Sequence, residues 1–333
     1  MPTSFHLYFH SSCFDGIVSS VMTADFLEKG QGWTLDQLMP VGYDARSAWL
    51  SSDLLTPCAV VDFLYHPQAL FWADHHSTAF LSEEAKKDFE RRRGPWFVYD
   101  NHSGSCACLL HNHFAECFGF TDSRYRDMVE WADKIDSARY ASVEEAILGD
   151  APALRIRASL AAGNGHEFSK QLVNELRYST LDSVAELPLV KERAEEVQSK
   201  IAAGLERFAR ASRLDRGDIV VFDVTSEKGV MISRYAPYHF FPEARYSVGV
   251  VRSPSGAKIT AMRNPWREFP SVHLGTIFAD LGETFESVGG GGHQRVASVI
   301  LSHDQVQRAA PILAHIVRQI REQDAHIAVA AHD

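Results

Sequence analysis

The sequence predicts an α/β protein of two domains. A parallel-sheet domain spans residues 1–188, and a smaller C-terminal α/β domain spans 214–325. A long helix over 189–213 joins them. Three observations carry this. Short apolar runs near the N-terminus end in polar residues and lead into apolar helical stretches, the rhythm of strand, loop and helix in a parallel sheet. Leu187–Ser212 is rich in charge, with Val190, Val197, Ile201, Leu205 and Phe208 at roughly helical spacing. Composition then shifts to short β-rich runs, and 333 residues suit two cores.

Phe5–Phe9 reads as the first strand, running into a polar loop His10–Gly16 and a helix Ile17–Leu27. Pro57–Phe63 reads as a buried strand with Asp62 near its end, and Leu70–Ala73 as another ending at Asp74. Residues 103–213 are mostly helical, with an amphipathic helix Ser123–Ile135 reaching Asp136. Asp218–Val224, Tyr246–Val251 and Lys258–Met262 read as strands, the last two joined by a turn at Ser253–Gly256. A helix Val272–Leu281 leads to a glycine loop Gly289–Gly292 and His293. A strand Arg295–Leu301 and a closing helix over 304–322 follow.

The bulk numbers exclude several classes. Net charge is −10, which argues against a long duplex-DNA footprint, since that needs clustered Lys and Arg. A short anionic substrate held through metals is compatible with that charge. No apolar run reaches the roughly 20 residues of a membrane helix, and Met1–Phe5 lacks the features of a secretory signal. The five cysteines, Cys13, Cys58, Cys106, Cys108 and Cys117, show no paired C-x-x-C spacing, so a reducing cytoplasm is expected.

Asp74-His75-His76 closes a buried apolar run, where polar groups must be paired or bind something. Adjacent side chains on an extended backbone point to opposite sides. His10, Asp15, Asp62, Asp74, His75 and His76 all fall at expected carboxyl ends of strands, where open α/β sheets bind ligands. Carboxylates and imidazoles together suit a two-metal phosphoryl-transfer site, with His10, Cys13, Asp15, Asp62, His75 and Asp136 as candidates. Mn2+ fits that donor set, and Mg2+, Fe2+ or Co2+ are alternatives, as one ion or two.

In order, His10-Ser-Ser-Cys13-Phe-Asp15-Gly16, Val61-Asp62, Asp74-His75-His76, Asp136-Ser137 and Gly289–His293 resemble the motifs of the DHH phosphoesterase superfamily, in the branch with a C-terminal DHH-associated domain and its GGGH loop. The resemblance spans nearly the whole chain. It implies that Asp62 bridges two ions, that Asp15, His75 and Asp136 complete one site and that His10 helps build the other. It further implies that His76 touches the substrate phosphate or leaving oxygen, and that Asp74 orients a histidine. Asp133 is the alternative to Asp136. The chain departs from the family at Cys13, which stands where the first Asp of a D-x-D pair is usual. A related branch with a His-x-x-Cys-x-Asp-Gly signature looks similar. Cys13 is either a thiolate ligand or packing; a neutral thiol suits Mn2+ poorly, which favours packing.

In the second domain the glycine run can bring backbone N–H groups to an anion, with His293 beside it. The resemblance points to Arg263 as a phosphate grip together with Gly290, Gly291, Gly292 and His293; Arg234, Arg267 and Arg295 are weaker candidates. The function implied is metal-dependent hydrolysis of phosphodiester or phosphomonoester bonds in small nucleotides or short single-stranded oligonucleotides: nano-RNA, a cyclic dinucleotide or a phosphoadenosine phosphate. No membrane partner is expected, and a homodimer is compatible with the reading. Two alternatives stand beside it, a pyrophosphate or polyphosphate hydrolase and a non-catalytic nucleotide-binding regulatory module.

Overall fold

A computed structural model of the protein describes residues 4–163, 165–292 and 294–330. The chain divides into two compact units, Met1–Tyr140 with Gly149–Gln198, and Ala141–Leu148 with Ser199–Asp333. The helix Pro188–Ala211 is shared between them.

The first unit is built on a five-stranded sheet: β1 (Ser4–His10), β2 (Thr34–Val41), β3 (Cys58–Val61), β4 (Phe71–Asp74) and β5 (Phe97–Tyr99). Its order is β2-β1-β3-β4-β5, and every pair is parallel. β3 and β4 are buried at every residue, which is why they read as unbroken apolar runs. β2 and β5 are edge strands that the sequence reading missed. β2 is largely solvated and carries Pro40, which cannot donate to a ladder and is tolerated at an edge. The strand order reverses between β1 and β3, so the ligand crevice of this topology opens beyond His10 and Val61.

The helices of this unit include α1 (Phe14–Asp25), α2 (Glu83–Arg92), α3 (Cys106–Phe118) and α4 (Tyr125–Asp136), of which α1, α3 and α4 border that crevice. α1 is buried on all sides, so its polar residues must find partners inside the protein. Ser20 donates to the Gly16 carbonyl at 2.6 Å, and Asp25 enters an ionic cluster with Lys29, Arg124, Tyr125 and Arg177. α1 begins at Phe14, earlier than the expected Ile17, which corrects one placement. Asp15 lies in the first turn of a helix, where an acid is favoured, and not at a strand end.

The second unit holds a six-stranded mixed sheet: β6 (Ser212–Asp215), β7 (Ile219–Asp223), β8 (Tyr246–Ser253), β9 (Gly256–Arg263), β10 (Gly290–Gly292) and β11 (Val296–Ser302). The order is β10-β11-β9-β8-β7-β6, with β7–β8 the parallel pair. Leu274–Ala279 and Ala309–Ala330 supply Ile277, Phe278, Ile312, Ile316 and Ile320 to the core against Val248, Val250, Ile259 and Ala261. The expected helix ends at Ala211, and the chain turns back through Arg216 and Gly217, both at positive φ, to pair β6 with β7. The expected glycine loop is the strand β10. A Cβ on Gly290 would lie 2.9 Å from the Phe278 carbonyl oxygen, and one on Gly275 would lie 2.4 Å from that of Gly292. The glycines therefore let a helix sit directly on the sheet edge.

Candidate metal centre

The crevice gathers the polar residues of the first unit. β1 ends at His10, β3 gives way to Asp62, and β4 ends at Asp74 followed by His75 and His76. α1 brings Asp15, and the C-terminal end of α4 brings Asp136. Asp62 leaves its strand with φ of 52°. This is a left-handed backbone that an acid tolerates better than most residues, at a cost of about 1 kcal/mol. Its N–H still donates to the Ala73 carbonyl at 3.0 Å, so the β3–β4 pairing holds the strained residue in place.

Asp62 is fully buried, and neither carboxylate oxygen has a hydrogen-bond donor. Its two oxygens face different groups. Oδ2 lies 3.6 Å from His10 Nδ1, and Oδ1 lies 3.8 Å from both His75 Nε2 and His76 Nδ1. His75 Nε2 is 3.6 Å from Asp15 Oδ2 and 3.3 Å from Asp136 Oδ2. Two donor groups thus converge within metal-ligating reach, His10 with Cys13 and Asp62, and Asp15 with His75 and Asp136. A third grouping joins Asp62 and His75 to Asp74 and His76.

The imidazoles are held by identifiable partners. His75 Nδ1 donates to the Ser103 carbonyl at 3.1 Å, a bond that fixes the tautomer and leaves the Nε2 lone pair facing the carboxylates. Asp74 Oδ1 accepts from His76 Nδ1 at 2.8 Å and from the backbone N–H groups of His75 and His76. Asp74 therefore orients His76. Asp15 accepts from the backbone N–H groups of Cys106 and Ala107 at 2.7 and 2.8 Å, so it caps the first turn of α3 while facing His75. Ser103 and the α3 terminus were not foreseen. The Ser105-Cys106 N-cap pattern marks a helix start in sequence, but a backbone carbonyl has no signature of its own.

The electrostatics suit a cation. Burial, followed by the neighbouring Asp15, Asp74 and Asp136, pushes the Asp62 carboxyl well above its usual range. Burial, with Asp62, Asp136 and Asp15, pushes the Cys13 thiol up as well. Burial and the nearby His76 lower His10 to about 4, which keeps it a neutral donor. Burial opposes charge on His76, but the Asp74 hydrogen bond and charge outweigh it and raise this imidazole to about 9. The unpaired atoms of Asp62, His10 and His75 form a mixed oxygen and nitrogen donor set that a first-row divalent cation satisfies. Asp133 pairs with Arg139 and crowds Gly104, while Asp136 faces His75.

Gly16 makes this packing compatible with a helix. A Cβ there would fall 2.2 Å from the His10 carbonyl oxygen and 3.1 Å from Asp62 Oδ2. Gly16→Ala is expected to cost about 2 kcal/mol through overpacking and to displace the His10 end of β1. Urea unfolding measures the first effect and Mn2+ titration the second; wild-type values in both would refute this account.

In the second unit, Arg263 ends β9 and is buried. Its guanidinium donates to the carbonyls of Asn264 and Phe269 at 3.3 and 3.1 Å and stacks on the Phe269 ring. Gly290, Gly291 and Gly292 form β10, and His293 lies outside the described residues.

No protein-family model and no curated protein matches this sequence. Solved structures do share its fold. A pGpG-specific phosphodiesterase, PggH, from Vibrio cholerae aligns with TM-score 0.69 and 18% identity, over 96% of this chain and 99% of its own. The DHH domain of a member of a family of ribosomal proteins aligns with TM-score 0.61 and 14% identity, over 95% of this chain and 86% of its own. RecJ from Thermus thermophilus, in complex with Mn2+, aligns with TM-score 0.56 and 14% identity, over 95% of this chain but only 52% of the RecJ chain. Over almost its full length, then, this chain has the two-sheet α/β fold that these proteins share.

Proposed function

We propose that the protein is a divalent-metal-dependent phosphoesterase acting on phosphodiester or phosphomonoester bonds of small nucleotides or short oligonucleotides. The observation that carries this is Asp62, a buried carboxylate whose two unpartnered oxygens face separate donor groups. The shared fold adds support: PggH is a pGpG-specific phosphodiesterase, and RecJ has been seen with Mn2+. In this reading Asp62, Asp15, His75 and Asp136 would hold one ion, and Asp62 with His10 would hold a second. When bound, the ions would stabilise charge on the phosphoryl oxygens and acidify the attacking water.

The chain's own residues supply position and proton control. The Ser103 carbonyl keeps the His75 Nε2 lone pair directed at the carboxylates. Asp74 binds His76 Nδ1, so His76 presents Nε2 to a phosphate or leaving oxygen as a charge-assisted donor. Residues 1–188 act as the catalytic domain. Residues 214–325 would bind substrate, with Arg263, Gly290–Gly292 and His293 as the groups the resemblance offers; in the structure Arg263 is held by the Asn264 and Phe269 carbonyls.

The test is hydrolysis of an aryl phosphodiester with Mn2+ and with EDTA. Metal-independent turnover would sink the proposal. No turnover on aryl diesters, short oligonucleotides or phosphoadenosine phosphate would point to the binding-module alternative.

We assign Cys13 to packing, because a thiol is a poor partner for Mn2+ beside oxygen ligands, although its sulfur lies 3.9 Å from Asp136 Oδ1 and within reach of His10 and Asp62. Cys13→Ala is expected to keep activity within about threefold, and Cys13→Asp to tighten Mn2+ binding about tenfold by adding a hard ligand. A hundredfold loss in Cys13→Ala would make the thiolate a ligand instead.

A further inference from the structure

Two depressions flank the centre in the first unit, and their charges differ. One, of about 480 Å3, is lined by Asp100, Glu116 and Asp133, and its Arg139 is neutralised by Asp133. It repels a phosphate. The other, of about 570 Å3, lies along the β2–β3 connection and is lined by Tyr43, Asp44, Arg46, Ser47, Leu50 and Leu81. Both volumes fall in the usual range for small-molecule sites.

The second depression meets the candidate centre at Tyr43. The Tyr43 ring sits edge-on to His10 at 4.9 Å and near His76 at 6.4 Å between centroids, and it is 39% exposed. The ring therefore stands at the mouth of the crevice, beside two half-buried histidines. Its support is rigid: Phe63 packs against it at 5.4 Å, and Trp49 anchors the segment by donating from Nε1 to the carbonyls of Leu64 and Tyr65. Burial, Asp74 and Asp62 raise the Tyr43 hydroxyl, and the Arg46 charge opposes them, so Arg46 is near the ring; among the described residues no carboxylate or carbonyl contact holds its guanidinium. A cation left unpaired beside an aromatic ring that is 39% exposed, in a chain of net charge −10, suits one ligand chemistry. A planar base stacks on the ring, and a phosphate meets the guanidinium.

We propose that Tyr43 and Arg46 form a nucleotide subsite next to the scissile phosphate, with Tyr43 as the stacking platform for a base and Arg46 as the partner of a non-reacting phosphate. Leu50 and Leu81 supply the apolar floor, and Asp44 at the rim accepts from a ribose hydroxyl or base amino group. The proposal rests on the phosphoesterase reading for its place in catalysis, but not for binding itself. It makes Tyr43 a specificity residue that separates nucleotide esters from base-free ones.

Two measurements on the full chain test it. The first is calorimetric titration of adenosine 5′-monophosphate in EDTA, which needs no turnover. Wild type is expected to bind, Tyr43→Ala to bind about tenfold more weakly, and Tyr43→Trp to bind as well as wild type. Arg46→Ala should weaken binding and flatten its salt dependence. The second is the ratio of kcat/KM for a 5′-phosphorylated diadenosine dinucleotide over its abasic analogue, in Mn2+. That ratio should fall at least about tenfold in Tyr43→Ala. No nucleotide binding by wild type at millimolar concentration overturns the subsite. So does Tyr43→Ala binding within twofold of wild type, which would leave the ring a mere packing partner of His10. Nucleotide binding that depends on Tyr43, without hydrolysis of any ester, leaves the subsite standing and overturns the phosphoesterase reading.

Discussion

Asp62→Asn is expected to abolish hydrolysis, by at least about a thousandfold, while making the metal-free protein more stable. The two effects have one cause. The carboxylate is fully buried among Asp15, Asp74 and Asp136, and neither of its oxygens receives a hydrogen bond. Without a cation it is desolvated and repelled, so its pKa is raised in the folded state. The sign follows. A carboxyl whose folded pKa lies above its unfolded value destabilises the fold as pH rises through that interval, and acidification relieves it. Asparagine removes the charge, keeps the shape and accepts the positive φ at this position. In EDTA at neutral pH the variant should therefore unfold at a higher temperature than wild type. Mn2+ should stabilise wild type by about 2.7 kcal/mol at a hundredfold excess over its dissociation constant and the variant by little. Calorimetry with and without Mn2+ reads both effects. A variant that is less stable in EDTA, or that retains a full Mn2+ response, refutes the bridging role.

Asp25→Ala is expected to be the most damaging single change to the first unit, at about 3 to 5 kcal/mol. Asp25 lies at the end of α1 with its carboxylate fully buried. It accepts from Lys29 at 2.7 Å, Tyr125 at 2.8 Å, Arg177 at 2.9 Å and Arg124 at 3.1 Å. Truncation leaves the Arg177 guanidinium, itself only 6% exposed, with Glu28 as its remaining carboxylate. Burial raises the Asp25 carboxyl, but the hydrogen bonds from Lys29, Tyr125 and Arg177 outweigh it, and its folded pKa is lowered. The linkage therefore runs opposite to that of Asp62. The cluster's contribution is complete above the unfolded value of about 3.9 and is lost as pH falls through the lower folded value. Wild type and Asp25→Asn should differ most at neutral pH and converge once pH has fallen below the lowered folded value. Urea unfolding at several pH values, followed by α1 amide exchange, measures this. A difference that does not vary with pH would remove the ionic explanation.

Asp25 is also instructive about what sequence shows. Nothing in Thr23-Ala-Asp25-Phe26 announces a buried charge, because its partners Tyr125 and Arg177 lie 100 and 152 residues away. The strand ends were legible for the opposite reason. β3 and β4 are buried at every position, so their apolar runs stop where a carboxylate begins, at Asp62 and Asp74. β2 carried no such signal, because its mostly solvated residues show neither a buried run nor an alternation.

The sequence by itself determined the class of fold, the division into a parallel-sheet unit and a second α/β unit, and most of the polar residues that meet at the crevice. These follow from apolar periodicity and chain order, which are local. The tertiary structure alone decided among residues that local pattern leaves equivalent. Asp133 and Asp136 lie one turn apart on α4, and only packing turns Asp136 to His75 and Asp133 to Arg139. It also assigned Asp74 to His76, tied Asp15 to the N–H groups of α3 and made the glycine run a sheet edge. Each of these depends on backbone groups or on close approach between distant segments. A backbone carbonyl is chemically the same at every position, so its role appears only once the chain has folded.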